Sequence, residues 1–294
     1  MKSVLTITFL IPLFVYAQRD WDNIQVEAQK VTDNIYFLTG AGGNIGLIIG
    51  DDGNMVIDNQ FAPLSDKIKA KVAELHDAKI QYVVNTHFHG DHTGGNENLK
   101  SEGAIVVSQD NVRSRLGTTF ENKLFKREIT AKSESFWPTV TFSEDMTFHF
   151  NNEEINIVHV PNAHTDGDAL VHFKTSNVIH TGDLFVRYGY PFVDVSAGGT
   201  INGIIAAQEK ILALSDEETQ IIPGHGALSN IDDVKELLAM LLKTKDIIQK
   251  AKNDGVSLED LMAKKPLKSL HRRWSGNFIN SDLFVQIVYE TLDQ

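Results

Sequence analysis

A dense group of potential metal ligands follows a short apolar run in this chain. The run, residues 80–84, has the composition of a buried strand, and the segment 86–92 after it reads Thr-His-Phe-His-Gly-Asp-His. In an extended segment, residues two apart share a face, so His87 and His89 can bind one ion together. The spacing therefore predicts a metal site at the end of a strand.

The second half of the same motif predicts a second metal position. Gly90 is expected to permit a sharp turn, after which Asp91 and His92 face another direction. Neutral imidazoles combined with a carboxylate suit zinc well, and iron or manganese less exclusively. The chain contains no Cys, so thiolate ligands and disulfides are excluded.

The flanking pattern predicts an α/β protein. A strand at 55–58, a helix from about residue 65 and the strand at 80–84 place the motif at a carboxyl-terminal strand end, where open α/β sheets carry their sites. Later alternating segments predict strands at 104–108, 139–142, 146–150, 155–160, 169–173, 178–180 and 221–222. Helices are expected at 201–214 and 282–292, with a long one closing near Gly255, and residues 109–126 are expected to be a helix or a loop.

The first 17 residues resemble a secretory signal peptide, with Lys2 before a nearly continuous apolar segment and a small residue, Ala17, at the cleavage position. An uncleaved anchor is the alternative. We expect removal of residues 1–17, a periplasmic or secreted location, and one domain over residues 18–294, because no linker or repeat interrupts the pattern.

The charge balance limits the possible partners. The net charge of −12 argues against nucleic acid and against an anionic membrane surface, since both require a basic face. A small-molecule substrate is the partner that we expect, with no membrane association after signal cleavage.

Three further ligand candidates follow predicted strands: His164, Asp183 and His225. Each is weak evidence alone. In this order after the motif at 86–92, however, they resemble the metallo-β-lactamase-fold hydrolases along nearly the whole mature chain. The resemblance implies an αββα four-layer sandwich.

The resemblance also implies a role for each ligand and a site with two zinc ions per chain. One ion would be held by His87, His89 and His164, the other by Asp91, His92 and His225, with Asp183 bridging both. Asp58 resembles the buried carboxylate that orients the ligand loop in this family.

The implied activity is that of a zinc-dependent hydrolase in which a metal-bound hydroxide attacks an amide, lactone or ester bond of a small exported substrate, with Asp91 as the catalytic carboxylate. Position 183 carries Asp, as in the glyoxalase II, lactonase and phosphodiesterase members, and not the Cys or Ser of many β-lactamases. Arg187, Tyr188 and Tyr190 are the candidate substrate-binding residues. Two alternatives remain: an iron persulfide dioxygenase of the same fold, and a non-catalytic exported metal-binding protein.

Overall fold

A computed structural model describes residues 20–276 and 278–294, so the predicted signal peptide lies outside the described residues. Two β-sheets dominate it. The seven-stranded sheet has the order β1-β2-β3-β4-β5-β6-β9, with β1 Glu27–Lys30, β2 Ile35–Thr39, β3 Ile45–Ile48, β4 Asn54–Ile57, β5 Ile80–Asn85, β6 Ile105–Gln109 and β9 Val140–Phe142. The five-stranded sheet runs in chain order, with β10 Asp145–Phe150, β11 Glu153–His159, β12 Ala169–Phe173, β13 Val178–His180 and β14 Gln220–Ile222. A separate hairpin pairs β7 Phe120–Asn122 with β8 Arg127–Ile129.

Nine α-helices occur in the described residues: α1 Ser65–Leu75, α2 Gly90–Thr93, α3 Asn96–Ser101, α4 Asp110–Leu116, α5 Ile201–Leu214, α6 Ile231–Asn253, α7 Leu258–Ala263, α8 His271–Trp274 and α9 Ser281–Thr291. Within this part of the chain, none of them combines the length and the apolar character that a bilayer span requires.

The central strands β3 and β4 of the seven-stranded sheet are buried on both faces, which explains their almost continuous apolar sequences. In β4, Met55 and Ile57 point into a core shared with the five-stranded sheet, whereas Val56 points to the opposite side. There it meets Ile68 and Val72 of α1. Because strand side chains alternate, one strand thus supplies two cores.

The five-stranded sheet has the same organisation. Val171 of β12 lies in the core between the sheets, and its neighbour Leu170 faces a third core built with α5, α6 and α9. The order of layers is therefore helices, sheet, sheet, helices, as expected for the αββα sandwich.

The strand directions bring the predicted ligand segments to one edge of the sandwich. β4 pairs in parallel with β5, and β13 pairs in parallel with β14, so the loops after these strands emerge side by side. β11, β12 and β13 are antiparallel neighbours, which puts the β11–β12 loop at the same end as the end of β13.

The segment 109–126 differs in part from the prediction. It begins with α4 as expected, but residues 120–122 then form the first strand of the β7–β8 hairpin. The hairpin is short and mostly exposed, so it lacks the apolar alternation that reveals a strand in sequence. Its position is set by tertiary contacts of Asn122, described below.

Candidate metal centre

The structure brings all seven predicted ligands together at this edge. Three overlapping sets have potential ligand atoms within 4.8 Å of one another: His87, His89 and His164; His87, His92 and Asp183; and Asp91, His92 and His225. Within these sets the ring nitrogens lie close together: His89 Nδ1 is 2.9 Å from His164 Nε2, and His92 Nε2 is 3.3 Å from His225 Nε2.

Four of these histidines are each fixed by a protein oxygen at one ring nitrogen, which leaves the other nitrogen directed at the centre. The pairs are His87 Nδ1 with Thr86 Oγ1 at 3.0 Å, His92 Nδ1 with Asp58 Oδ2 at 2.7 Å, His164 Nδ1 with the Phe192 carbonyl at 2.7 Å, and His89 Nε2 with Asp194 Oδ2 at 3.1 Å. Such partners orient metal-binding imidazoles and fix their tautomer.

Two buried atoms at the centre have no hydrogen-bond partner in the protein. They are Nε2 of His87 and Oδ1 of Asp183. Asp183 Oδ1 does lie 3.2 Å from Nε2 of His92, but outside hydrogen-bonding geometry. Buried polar atoms are otherwise almost always paired, so these two lone pairs fit a bound cation. The donor set of imidazoles and carboxylates suits zinc, iron or manganese.

Asp58 holds the ligand motif from behind, as the resemblance implied. It ends β4 in a left-handed backbone conformation (φ 66°) and is fully buried. One carboxylate oxygen accepts a hydrogen bond from the Thr86 backbone N–H (2.8 Å), and the other accepts from the Thr86 hydroxyl (2.7 Å) and contacts His92. The start of the motif and its third histidine, His92, are thereby fixed to the end of the neighbouring strand.

The loop that carries His164 is fixed by its own carboxylate. Asp168 accepts hydrogen bonds from the Thr165 backbone N–H (2.7 Å) and from the Thr165 hydroxyl (2.6 Å). The His164 carbonyl accepts a hydrogen bond from the Asp194 N–H at 2.8 Å. The position of His164 therefore depends on its local turn and on the loop that follows Asp183.

The electrostatics of the cluster divide its imidazoles into two pairs: the pKa values of His87 and His164 are lowered, whereas those of His92 and His225 are raised by the carboxylates of Asp183 and Asp91, which outweigh burial. Burial, reinforced by the neighbouring histidines, holds the pKa of His87 well below its usual value and, against the attraction of Asp183, lowers the pKa of His164 to about 4. Burial disfavours the carboxylate of Asp183, but the positive charge of His225 and His92 outweighs it and keeps the pKa of Asp183 well below the usual range. Metal ligands must be deprotonated, so His87 and His164 are ready to bind an ion, whereas binding at His92 and His225 would release protons.

The glycine-rich segment 40–44 ties two ligand loops together. The Gly43 N–H donates to the carbonyl of Asp91 at 3.0 Å, and the Asn44 N–H donates to the carbonyl of Gly224, next to His225, at 2.7 Å. A Cβ atom on Gly43 would lie 2.1 Å from Cε1 of His92, so only glycine allows this approach.

Gly90 does not have the role that the sequence suggested. It is the first residue of α2, has no positive φ, and a Cβ atom there would meet no atom within 4 Å. The prediction of a glycine-dependent turn was wrong, because the chain changes direction through an ordinary helix start after the extended His89.

The three candidate substrate-binding residues lie in different environments. Arg187 forms an ion pair with Asp233 of α6, and Tyr190 is fully buried with its ring stacked on Phe284 at 4.5 Å. Tyr188 packs against the ring of His225 at 5.6 Å. Of the three, Tyr188 is therefore the residue placed against the metal centre, since the charge of Arg187 is already paired and Tyr190 has no exposed surface.

Asp194 and Asn122 are site residues that the sequence did not reveal. Asp194 is buried, contacts His89, and has the side-chain nitrogen of Asn122 at 3.2 and 3.3 Å from its two oxygens. Neither residue lies in a periodic segment or next to a ligand in the chain. The one signal in the sequence was that Asp194 lies in the loop after Asp183, which also carries the candidate substrate-binding residues.

Residues 38–225, more than half of the chain, match the family model described as the metallo-beta-lactamase superfamily. The chain belongs to this superfamily. Members similar to it include a hydroxyacylglutathione hydrolase of Pelagibacter ubique (strain HTCC1062), 28% identical over 164 residues that cover 55% of this chain and 59% of that protein. The lactamase-like protein aptB of Emericella nidulans is 26% identical over 177 residues (60% and 48%), and the metallo-beta-lactamase type 2 of Elizabethkingia meningoseptica is 25% identical over 176 residues (56% and 64%). The chain thus spans between about half and two thirds of the length of these relatives.

Solved metallo-β-lactamase structures share the fold. A metallo-beta-lactamase from Pontibacter korlensis has a TM-score of 0.61 at 17% identity, covering 74% of this chain and 99% of that chain. The DIM-1 metallo-beta-lactamase also has a TM-score of 0.61, at 16% identity, with 75% and 99% covered. The superfamily and α/β fold predicted from sequence are confirmed, and the His/Asp cluster of this chain could hold metal ions.

Proposed function

We propose that this protein is an exported hydrolase that uses two zinc ions to cleave an amide, lactone or ester bond of a small molecule. The observation that carries the proposal is the position of Asp183. Its Oδ1 lies 3.2 Å from His92 Nε2 and 3.5 Å from His225 Nε2, whereas its Oδ2 lies 3.6 Å from His164 Nε2. One carboxylate thus reaches both ligand sets, as a residue shared by two ions must.

The ligand sets define where the ions would sit. His87, His89 and His164 would hold one, and Asp91, His92 and His225 the other. When bound, two divalent ions would polarise the bond to be cleaved and make water acidic enough to attack at neutral pH.

Asp91 is the residue of this chain best placed to handle the proton. Its side chain is 29% exposed at the rim, and Oδ2 lies 3.2 Å from Nε2 of His225. Burial opposes ionisation, but the charges of His92 and His225 hold its pKa below the usual value. Asp91 is consequently ionised at neutral pH and able to orient water and accept its proton.

Tyr188 supplies a hydroxyl beside the same rim. Burial raises its pKa well above the usual value, reinforced by the negative charges of Asp183 and Asp91 and opposed by a hydrogen bond from the Phe192 backbone. The phenol therefore stays protonated at neutral pH and can donate to the oxyanion that forms when a carbonyl is attacked.

The proposed substrate class and location rest on the net charge, on the attack by water and on the N-terminal segment. The net charge of −12 disfavours nucleic acid, and no Ser or Cys nucleophile is needed when water attacks. The apolar N-terminal segment supports export with cleavage after Ala17. The mass of the chain recovered from the periplasm or medium tests this point, and an intact Met1 in a soluble cytoplasmic pool would refute it.

The test of the proposed activity is a substrate panel on zinc-loaded protein, with Asp183→Ala as the control for contaminating activity. The panel contains nitrocefin, a homoserine lactone, a p-nitrophenyl ester and bis-p-nitrophenyl phosphate. We expect two zinc ions per chain and cleavage of an amide, lactone or ester by the wild-type protein only. One iron per chain would favour the persulfide dioxygenase, and zinc binding without any turnover would favour the non-catalytic metal-binding protein.

A further inference from the structure

A set of aromatic rings extends outward from two of the candidate metal ligands. Phe192 stacks on the ring of His89, with centroids 5.7 Å apart and planes 24° apart, and its edge approaches His164 at 5.6 Å. Phe192 itself is only 6% exposed. The metal centre is therefore walled on the His89 side by an apolar ring.

Two more rings continue this wall to the surface. Phe125 lies 5.4 Å from Phe192, and Phe278 lies 5.6 Å from Phe192 and 5.5 Å from Phe125. Phe278 is 54% exposed, the most exposed large hydrophobic side chain in the described residues. Phe125, Phe192 and Phe278 form the aromatic patch. An exposed ring that belongs to such a contiguous group marks a binding site more often than an isolated one.

The aromatic patch is assembled from segments that are far apart in sequence and fixed in place. Phe125 lies in the β7–β8 turn, whose Asn122 is tied to Asp194 and thereby to His89. Phe278 follows α8 and lies beyond residues 38–225, the part that matches the superfamily model. The Tyr190 N–H donates to the Trp274 carbonyl at 2.7 Å, which holds this C-terminal segment against the loop that carries Phe192.

The cationic side chain of Arg127 contacts the aromatic patch at Phe125, whereas Arg187 is engaged with α6. Arg187, the cation predicted to bind a substrate carboxylate, is paired with Asp233. The guanidinium of Arg127 lies over the ring of Phe125 at 5.6 Å, which covers part of Phe125 and leaves Phe278 as the open surface.

We propose that the aromatic patch is the subsite for an apolar acyl or aryl group of the substrate. The proposal rests on the proposed hydrolase function, because the scissile bond would lie at the ligand sets while the apolar group extends over Phe192 towards Phe278. The ring centroids of His89 and Phe192 are 5.7 Å apart, and those of Phe192 and Phe278 are 5.6 Å apart. A group that extends from the ligands to Phe278 must therefore be longer than an acetyl group, and a medium-length acyl chain suits this span.

The test measures kcat/KM of the zinc-loaded protein for p-nitrophenyl esters from acetate to octanoate. Each fully buried methylene is worth about fourfold in binding, so with partial burial we expect kcat/KM to rise by about ten- to a hundredfold along the series. Phe278→Ser should reduce this rise by about tenfold, with a loss that grows with chain length, and Phe278→Leu should keep most of it. Leu242→Ser, at a 46% exposed position on α6, is the matched control for removing an exposed hydrophobic side chain.

A second readout separates the subsite from catalysis. Calorimetric titration with butyrate and octanoate needs no turnover, and we expect the wild-type protein to bind octanoate at least tenfold more tightly and Phe278→Ser to lose that preference. If no ester is cleaved but the preference is present, the hydrolase proposal fails and the apolar subsite stands. If esters are cleaved without dependence on chain length, or if Phe278→Ser and Leu242→Ser behave alike, the apolar subsite is wrong.

Discussion

The carboxylate of Asp194 lies 3.1 Å from Nε2 of His89 and is itself held by the side chain of Asn122. On the other side of the centre, Asp58 contacts Nδ1 of His92 at 2.7 Å. Each ligand set therefore has one histidine backed by a buried carboxylate. Asp58 follows β4 of the seven-stranded sheet and Asp194 lies in the loop after β13 of the five-stranded sheet, so the geometry of the centre depends on how the two sheets pack.

Asp194→Asn should weaken zinc binding by about ten- to a hundredfold, the usual cost of losing a partner behind a metal-binding histidine. The substitution keeps the shape of the side chain but removes the charge that orients His89. Competition with a chromophoric zinc chelator measures the affinity. Asp216→Asn is the control, because Asp216 also accepts backbone and side-chain hydrogen bonds in an exposed turn away from the centre. Equal affinities in both variants would show that Asp194 only supports the loop.

Asp91→Asn should lower turnover of any cleaved substrate by about 10²–10⁴-fold, because a positioned acid/base group is lost. The fold should be retained, since the side chain is partly exposed and its ion-pair contacts are the rings of His92 and His225. Turnover, metal content and circular dichroism are measured on the same preparation. Wild-type turnover with two ions bound would contradict the role of Asp91 as proton acceptor.

Gly43→Ala should displace His92 and reduce the metal content of the purified protein, because the added Cβ atom would lie 2.1 Å from the imidazole. Gly90→Ala is the matched control within the ligand motif. The added methyl group meets no neighbour there and replaces glycine at a helix start, so the melting temperature should be unchanged or slightly higher. Elemental analysis and thermal unfolding distinguish the two variants. Full metal occupancy in Gly43→Ala would mean that segment 40–44 moves readily.

Tyr188→Phe should lower kcat by about 10²-fold with little change in KM, as expected when a donor acts on the transition state. Tyr190→Phe is the control, because that hydroxyl is buried in the core and has no hydrogen-bond partner in the structure. Steady-state kinetics on the preferred ester or lactone provides the comparison. A rise in KM alone would place Tyr188 in ground-state recognition.

The two-sheet sandwich and the full set of seven ligands were implied by the resemblance to the metallo-β-lactamase fold, whereas most strands and the ligand motif at 86–92 could be predicted from the sequence pattern. The reason is local: apolar alternation reveals strands, and the spacing in residues 86–92 sets which side chains share a face. His164, Asp183 and His225 each follow a strand, but this position is weak evidence alone, and the resemblance to the superfamily was needed to mark them as ligands.

The tertiary structure decided what surrounds these ligands. Asp194 contacts His89 across a gap of 105 residues, Asn122 contacts Asp194 across a gap of 72, and no local pattern encodes such pairings. The ion pair of Arg187 with Asp233 likewise depends on two segments brought together by folding. The sequence pattern by itself determined the ligand motif at 86–92 and most of the strands of this protein. The walls of the site, including the aromatic patch, were decided by the packing of loops that have no periodicity of their own.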